Sequence, residues 1–370
     1  MFREVSMDSV DLFEDKNRLE LDNNVQIQEF VFDPYVFLEK TSAWYGGTGS
    51  GKTFHAKFAI SKLQEFFPRV VLFSPTNHQS TDFDGIINKV QIIEEFTPDL
   101  FLRVYKQAEK NGNIYRTANK FEILLELFNK FAPPQAKVEM QRLLERKMQK
   151  VRDIQAAEVK IELQRKKIKD FVESIDAVLK QYIKVNIAPL RNKLLADFAA
   201  KKEGLSDDVF TALKFLDFNP RILIIFDDCQ TELAELLKSE KKNIEAVAAL
   251  KNIFSRGRHS FITSIFICQD DIVFKQWMRK GIKNNIITSR AMASTFFQRT
   301  GTAANAEGPT RKLALKVIEK MFIDEKDHRK LLFRPEISGN AGFSWTLACE
   351  TGLFTTGSRI VRKFSEKIQK

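Results

Sequence analysis

The sequence predicts an α/β fold, a mostly parallel sheet flanked by helices and interrupted by a long α-helical insertion, on three observations. Residues 42–66 read as a short apolar strand, a glycine-rich loop and a helix. Further apolar runs at Val70–Phe73, Ile222–Phe226 and Ser260–Cys268 stop abruptly at polar residues, as buried parallel strands do. Between Pro134 and Gly204 there is no glycine, and apolar residues recur at helical spacing.

The chain has 370 residues, enough for one large α/β domain with an insertion, or for two domains. With 44% hydrophobic and 29% charged residues it has a globular composition, which excludes a disordered or fibrous chain. No apolar stretch approaches the roughly 20 residues needed to cross a bilayer. The N-terminus carries Asp8, Asp11, Glu14 and Asp15 where a signal peptide would be basic and then apolar, so a cytoplasmic type of compartment is expected. Cys229, Cys268 and Cys349 have no metal-ligand spacing, and their odd number argues against a disulfide framework. Cys229 and Cys268, at predicted strand ends, read as buried small hydrophobes. The formal charge of +11 suggests a polyanionic partner such as nucleic acid. Much of it lies between Gln135 and Gly204, where 17 Lys and Arg face 10 Asp and Glu, a pattern a solvated helical face also produces.

Taken in chain order, the first 28 residues are acidic and weakly patterned, and read as a surface arm or an edge strand. Ser42–Tyr45 is the first core strand. It leads into Gly46-Gly47-Thr48-Gly49-Ser50-Gly51-Lys52-Thr53, a full match to G-x-x-x-x-G-K-[ST]. Four glycines in eight positions let successive N–H groups turn toward one anion. Lys52 adds a mobile positive charge for β/γ-phosphates, and Thr53 offers a hydroxyl to Mg²⁺. Phe54, Phe58, Ile60 and Leu63 then have helical spacing, so the loop caps a helix N-terminus that itself favours phosphate. ATP with Mg²⁺ is the ligand this predicts.

Val70–Phe73 forms the next strand, followed by a polar loop over 76–84. From 94 to 216 the reading is almost entirely helical, with breaks near Asn111–Asn113, Pro133–Pro134, Pro189 and Gly204. Ile154, Ile161, Ile168, Ile175 and Tyr182 recur every seven residues, with Phe171, Val172, Val178 and Leu179 beside them. Glu158, Gln164 and Arg165 interrupt that seam, which favours an antiparallel helical pair over a dimeric coiled coil. The predicted organisation is therefore 1–93 as an arm and the first part of the core, 94–216 as the insertion, and 217–370 as the rest of the core. Within that last part, 246–254 reads as a helix, 285–288 as a fourth strand, 343–358 as a β-hairpin or edge element, and 359–370 as a basic tail.

Phosphate binding alone does not hydrolyse a nucleotide. A carboxylate on the metal and a group on the attacking water are also needed. The run Arg221-Ile-Leu-Ile-Ile-Phe-Asp-Asp228 provides both at the C-terminal edge of a buried strand, where ligands bind in open α/β sheets. Asp227 is placed to hold Mg²⁺ through water and Asp228 to orient and deprotonate the nucleophilic water. The 260–268 strand ends at Gln269, whose amide can bond both γ-phosphate and water. Upstream, Arg256 and Arg258 in Arg-Gly-Arg-His suit stabilisation of a transferring phosphoryl group, often on a neighbouring subunit, or contacts to a DNA backbone, and the same pattern also fits residues that merely face solvent.

Together, Gly46–Thr53, Phe73-Ser74-Pro75-Thr76, Asp227-Asp228, and Gly257-Arg258-His259 followed by a strand closing on Gln269 resemble the poxvirus-type DNA-packaging ATPases of nucleocytoplasmic large DNA viruses. That family is a viral branch of the FtsK–HerA superfamily, and the resemblance covers roughly residues 30–80 and 220–300. It implies a RecA-like, additional-strand P-loop core with the Gln269 strand between the other two. It also implies a hexameric or pentameric ring that threads double-stranded DNA into a capsid, acting in host-cytoplasm viral factories and in the virion, with a capsid or inner-membrane virion protein as a further partner. Two other classes share these residues: a nucleoside or nucleotide kinase, and an ATP-dependent assembly factor that moves no DNA.

Overall fold

The structure is a computed structural model, and it describes residues 18–22, 25–77, 82–156, 161–200, 206–303, 308–322 and 329–346. The predicted breaks and seam positions at Gly204 and Glu158, the 359–370 tail, Cys349 and most of the 343–358 hairpin lie outside them. The chain divides into two compact units, 1–108 with 221–370, and 109–220.

The first unit is built on ten strands: β1 (Arg18–Asp22), β2 (Val25–Glu29), β3 (Thr41–Tyr45), β4 (Arg69–Phe73), β5 (Ile92–Ile93), β6 (Ile222–Asp227), β7 (Ile262–Cys268), β8 (Ile282–Ile287), β9 (Lys330–Phe333) and β10 (Phe343–Thr346). They form one sheet in the order β1-β2-β10-β9-β8-β3-β7-β6-β4-β5. From β8 to β5 all pairings are parallel, β9 is antiparallel to both its neighbours, and β1 pairs antiparallel with β2 at the edge. The Asp-Asp strand β6 and the phosphate-loop strand β3 are thus separated by β7.

β6 and β7 are buried along their whole length, which is why they read as unbroken apolar runs. Successive residues serve opposite faces. Ile222, Ile224 and Phe226 join Tyr45, Phe73 and Phe266 on one face, while Leu223 and Ile225 join Trp44, Leu72, Ile265 and Ile267 on the other. Phe226 stacks on Phe266 at 4.5 Å and on Phe73 at 5.6 Å, so an aromatic ladder crosses three strands. The first face is covered by residues of α8 (Gln230–Lys238), α9 (Ile244–Arg256), α10 (Gln276–Gly281), α11 (Arg290–Ala303) and α12 (Gly308–Met321). The second is covered by Ala56, Ala59, Ile60 and Leu63 of α1 (Lys52–Leu63) with Phe37. The alternation fixes the register, so the C-terminal ends of β3, β4, β6, β7 and β8 reach one sheet edge together.

The second unit contains α3 (Phe121–Phe131), α4 (Pro134–Ala156), α5 (Ile161–Ile187), α6 (Arg191–Ala200) and α7 (Asp207–Lys214), packed through Leu124, Leu127, Phe128, Met140, Leu179, Ile183 and Leu213. Tyr182 Oη reaches Ala136 O at 3.4 Å, Lys147 pairs with Asp176, and Gln164 Nε2 donates to Ile154 O at 3.0 Å. Those contacts fix α4 and α5 as an antiparallel pair. The seven-residue seam differs from the expectation: Ile154 lies on α4 while Ile161 and Val178, on α5, are exposed. Burial concentrates instead on Leu179, Ile183 and Ile187.

The expected break at Asn111–Asn113 is absent. A single helix, α2 (Pro98–Ala118), runs through it and stops where Asn119 Nδ2 bonds back to Tyr115 O at 2.9 Å. Packing of Phe101, Val104, Tyr105 and Ala108 on one side of Gly112, and burial of Ala118 on the other, outweighs a propensity penalty of about 1 kcal/mol.

Candidate active site

The phosphate loop leaves β3 at Tyr45, and Gly46 N donates to Cys268 O at 3.2 Å, extending the β3–β7 ladder. A Cβ on Gly46 would stand 1.8 Å from Thr288 Oγ1 and 2.3 Å from Ser50 Oγ, so only glycine fits. Gly49 and Gly51 have φ of +78° and +76°, in the left-handed region. Gly47, Thr48 and Gly49 form the exposed rim, and Lys52, the first residue of α1, is buried. The first turn of α1 carries no side-chain cap and no carboxylate. Its N–H groups are therefore free of acidic competition for an anion.

Across the edge, the Lys52 Nζ stands 3.9 Å from Asp228 Oδ1, an ion pair without a hydrogen bond. Asp228 follows β6 with φ of +49° in the left-handed region, and its N–H closes the β6–β7 ladder on Ile267 O at 3.1 Å. Asp228 Oδ1 is buried and accepts no hydrogen bond. Asp227, 4% exposed, accepts from Ser74 Oγ at 3.0 Å. Burial and the neighbouring Asp228 push its carboxyl up to about 7, with Ser74 and Lys52 pulling the other way. Ser74, part of the Ser-Pro-Thr run at the end of β4, thus acts as the hydroxyl that orients the first aspartate.

Asp227 and Asp228 lie beside one ammonium, that of Lys52, and Asp228 Oδ1 accepts no hydrogen bond. A divalent cation fits that donor set. Thr53 and Asp227 would hold it, the remaining positions falling to water and phosphate as is usual for Mg²⁺. No group of three or more metal-ligating side chains occurs among the described residues.

Gln269 follows Cys268 at the end of β7 and is exposed, beside the first residue of the phosphate loop. The turn after it is anchored by Asp271, which is fully buried and bonded to Arg299 Nη1 at 2.6 Å, with Arg279 Nε 3.4 Å away. The edge thus brings together Gly46–Thr53, Asp227, Asp228 and Gln269. Arg256 and Arg258 are not brought to it. Both are exposed and lie ahead of β7, so the seven-residue strand separates them from the edge at which β7 ends, a distance of roughly 20 Å. A place for either in the nucleotide site of its own chain is therefore excluded by strand direction.

Four residues of this edge carry no pattern in the sequence. Thr288, after β8, donates from Oγ1 to Tyr45 O at 2.9 Å and lies 2.7 Å from Ser50 Oγ. Lys330, opening β9, donates to Ser50 O at 2.8 Å. His55 accepts at Nδ1 from Trp44 Nε1 at 2.9 Å and faces Thr346 Oγ1 through Nε2 at 3.3 Å. Asp271 is the fourth. An indole N–H can only donate, so His55 is neutral with its proton on Nε2. Burial, helped by Lys330, lowers its pKa to about 3. Cys229 and Cys268 are buried, and burial pushes both thiols well up, so neither is a nucleophile.

A glycine-rich phosphate loop after one strand, paired aspartates ending a second, and a third strand between them define the additional-strand P-loop NTPase fold. No family model matches the chain. By sequence it is similar to a protein of African swine fever virus named uncharacterized protein B354L. In the Tick/Malawi/Lil 20-1 isolate the identity is 23% over 361 residues, spanning 92% of this chain and 91% of the relative, and the Badajoz strain gives the same values. Among solved structures, the pCW3 conjugation coupling protein TcpA, in its monomer form with ATPγS, aligns at a TM-score of 0.39 and 11% identity over 90% of this chain and 67% of that one. The cytoplasmic domain of the Thermomonospora curvata type VII secretion ATPase EccC aligns at 0.31 and 11% over 82% and 25%. No described helix is long and apolar enough to cross a membrane.

Proposed function

We propose that this chain is an ATP-hydrolysing motor that translocates double-stranded DNA and packages a viral genome into its capsid. The observation that carries the reading is the 3.9 Å approach of the Lys52 ammonium to Asp228, between a glycine-built anion cradle and the Ser74-held Asp227. Lys52 would exchange Asp228 for the β/γ-phosphates, freeing that carboxylate to take a proton from the attacking water. Bound Mg²⁺ would neutralise charge on the phosphates, held by Thr53 and Asp227. Gln269, one strand over, would bond the γ-phosphate and the same water.

The packaging role rests on the resemblance described from the sequence, on the net charge of +11 and on the likeness of nine-tenths of the chain to a viral protein. It places the protein in a homo-oligomeric ring, with Arg256 or Arg258 serving the neighbour's site, in viral factories of the host cytoplasm and in the virion. A capsid or inner-membrane virion protein would receive the ring. Purified protein should hydrolyse ATP without added acceptor and faster with duplex DNA, and Lys52→Ala should lower turnover at least about 100-fold. Nucleotide turnover that requires a small acceptor and ignores DNA would instead identify a kinase.

A further inference from the structure

We propose that Lys330 is a positioning residue of the phosphate loop, holding the Ser50–Gly51 peptide so that the Gly51 N–H is aimed at bound phosphate. This role rests on the nucleotide-site reading above. Lys330 is buried, 7% exposed, and donates from Nζ to Ser50 O at 2.8 Å. The same Nζ lies 3.5 Å from the point a Gly51 Cβ would occupy, so it packs against the turn immediately before Lys52. The peptide unit is planar and trans, so its C=O and N–H point in opposite directions. Fixing the Ser50 carbonyl therefore fixes the direction of the Gly51 N–H.

Ser50 is braced from a second side by Thr288, whose Oγ1 lies 2.7 Å from Ser50 Oγ. The lysine also does not act alone on its strand. Thr346 is its direct cross-strand partner, and Thr346 Oγ1 faces His55 Nε2 on the first turn of α1. His55 N in turn donates to Gly51 O at 3.0 Å. The β9–β10 pair thus touches both ends of the short stretch that contains Gly51, Lys52 and Thr53. An ammonium is suited to this place because its bond to a carbonyl is charge-assisted and because its charge adds to the field a triphosphate meets.

The test uses the full chain and Mg·ATPγS, with affinity measured by calorimetry and ATP KM and kcat measured alongside thermal melting. Lys330→Met keeps length and removes the donor, whereas Lys330→Gln keeps a neutral donor. Lys330→Met should raise the ATPγS Kd and the ATP KM about tenfold, with Lys330→Gln between it and the wild type. A merely structural lysine would lower melting temperature and kcat through the folded fraction and leave KM unchanged, and that result overturns the role. Folded Lys330→Met with wild-type affinity overturns it equally. If the methionine variant does not fold, the glutamine variant decides by the same criterion. Wild-type protein that binds no nucleotide, with Lys52→Ala no different, refutes the nucleotide site itself, which is a distinguishable outcome.

Discussion

Two buried titratable residues beside the phosphate loop pull stability in opposite directions with pH. Asp227 has its folded pKa raised from 3.8 to about 7, so the fold holds a proton that the unfolded chain releases. Its contribution is fully present below about 4 and is lost as pH rises to about 7. His55 has its folded pKa lowered from 6.5 to about 3, so the unfolded chain takes a proton the fold refuses. Its contribution is fully present above about 6.5 and is lost as pH falls toward 3. Between pH 4 and 6.5 the two slopes oppose each other at about 1.4 kcal/mol per pH unit each, leaving little net dependence from this pair. Asp227→Asn should uncover the histidine slope: stability falling as pH drops below 6.5, by up to about 2 kcal/mol at pH 5. Denaturant titrations at pH 5, 6.5 and 8 would show this, and a variant with the wild-type profile would contradict it. The same substitution removes a destabilising ionised carboxylate. It should raise stability of the ligand-free protein at pH 8 by about 1–2 kcal/mol while cutting ATP turnover at least about 100-fold. Gain of stability with loss of turnover would be the signature of a group kept strained for a ligand.

At the scale of elements, α4 carries Arg142, Arg146 and Lys150 at intervals of four, all exposed, which sets them in one stripe about 6 Å apart along the helix. If the DNA backbone lies along this stripe, changing all three to Gln should weaken duplex binding and lower the magnitude of the log K against log salt slope by up to about 2.7. Fluorescence anisotropy from 50 to 200 mM salt measures that slope, and an unchanged value marks the stripe as a solvated face. β3, β4, β6 and β7 were legible because they are buried on both faces and stop at glycines or polar residues, and their loop ends carried the phosphate loop, Asp227, Asp228 and Gln269. β1 and β2 were legible only as the edge-strand alternative for the first 28 residues, and β9 not at all, since charged residues alternate with or abut short apolar runs in Arg18–Asp22, Val25–Glu29 and Lys330–Phe333. Lys330, and Thr288 at the end of the predicted 285–288 strand, carried no functional signal in the sequence. Their meaning arises only when β8 is laid beside β3 and β9 beside β8, some 240 to 280 residues along the chain from Ser50. The Asn111–Asn113 break failed for the reverse reason: local propensity was read correctly and tertiary packing overrode it.

At the scale of the whole molecule, strand polarity decides what a single chain can do. All the parallel strands deliver their C-terminal ends to the nucleotide edge, while Arg256 and Arg258 sit at the start of β7, on the opposite edge. An arginine there can reach a triphosphate only on another copy of the chain, so a trans role for it needs an assembly of copies such as the proposed ring. Complementation tests this. Lys52→Ala subunits would have a dead phosphate loop and an intact Arg258, and Arg258→Ala subunits the converse. Each alone should be inactive, whereas subunits mixed one to one before assembly should regain about a quarter of wild-type ATPase activity, the fraction of interfaces that pair an intact loop with an intact arginine under random exchange. The same mixture made with Arg256→Ala identifies which arginine is responsible. Full activity of both single arginine variants would remove the trans role. Inactive mixtures of subunits shown to co-assemble would remove it as well, since within one chain the seven residues of β7 separate these arginines from the phosphate loop.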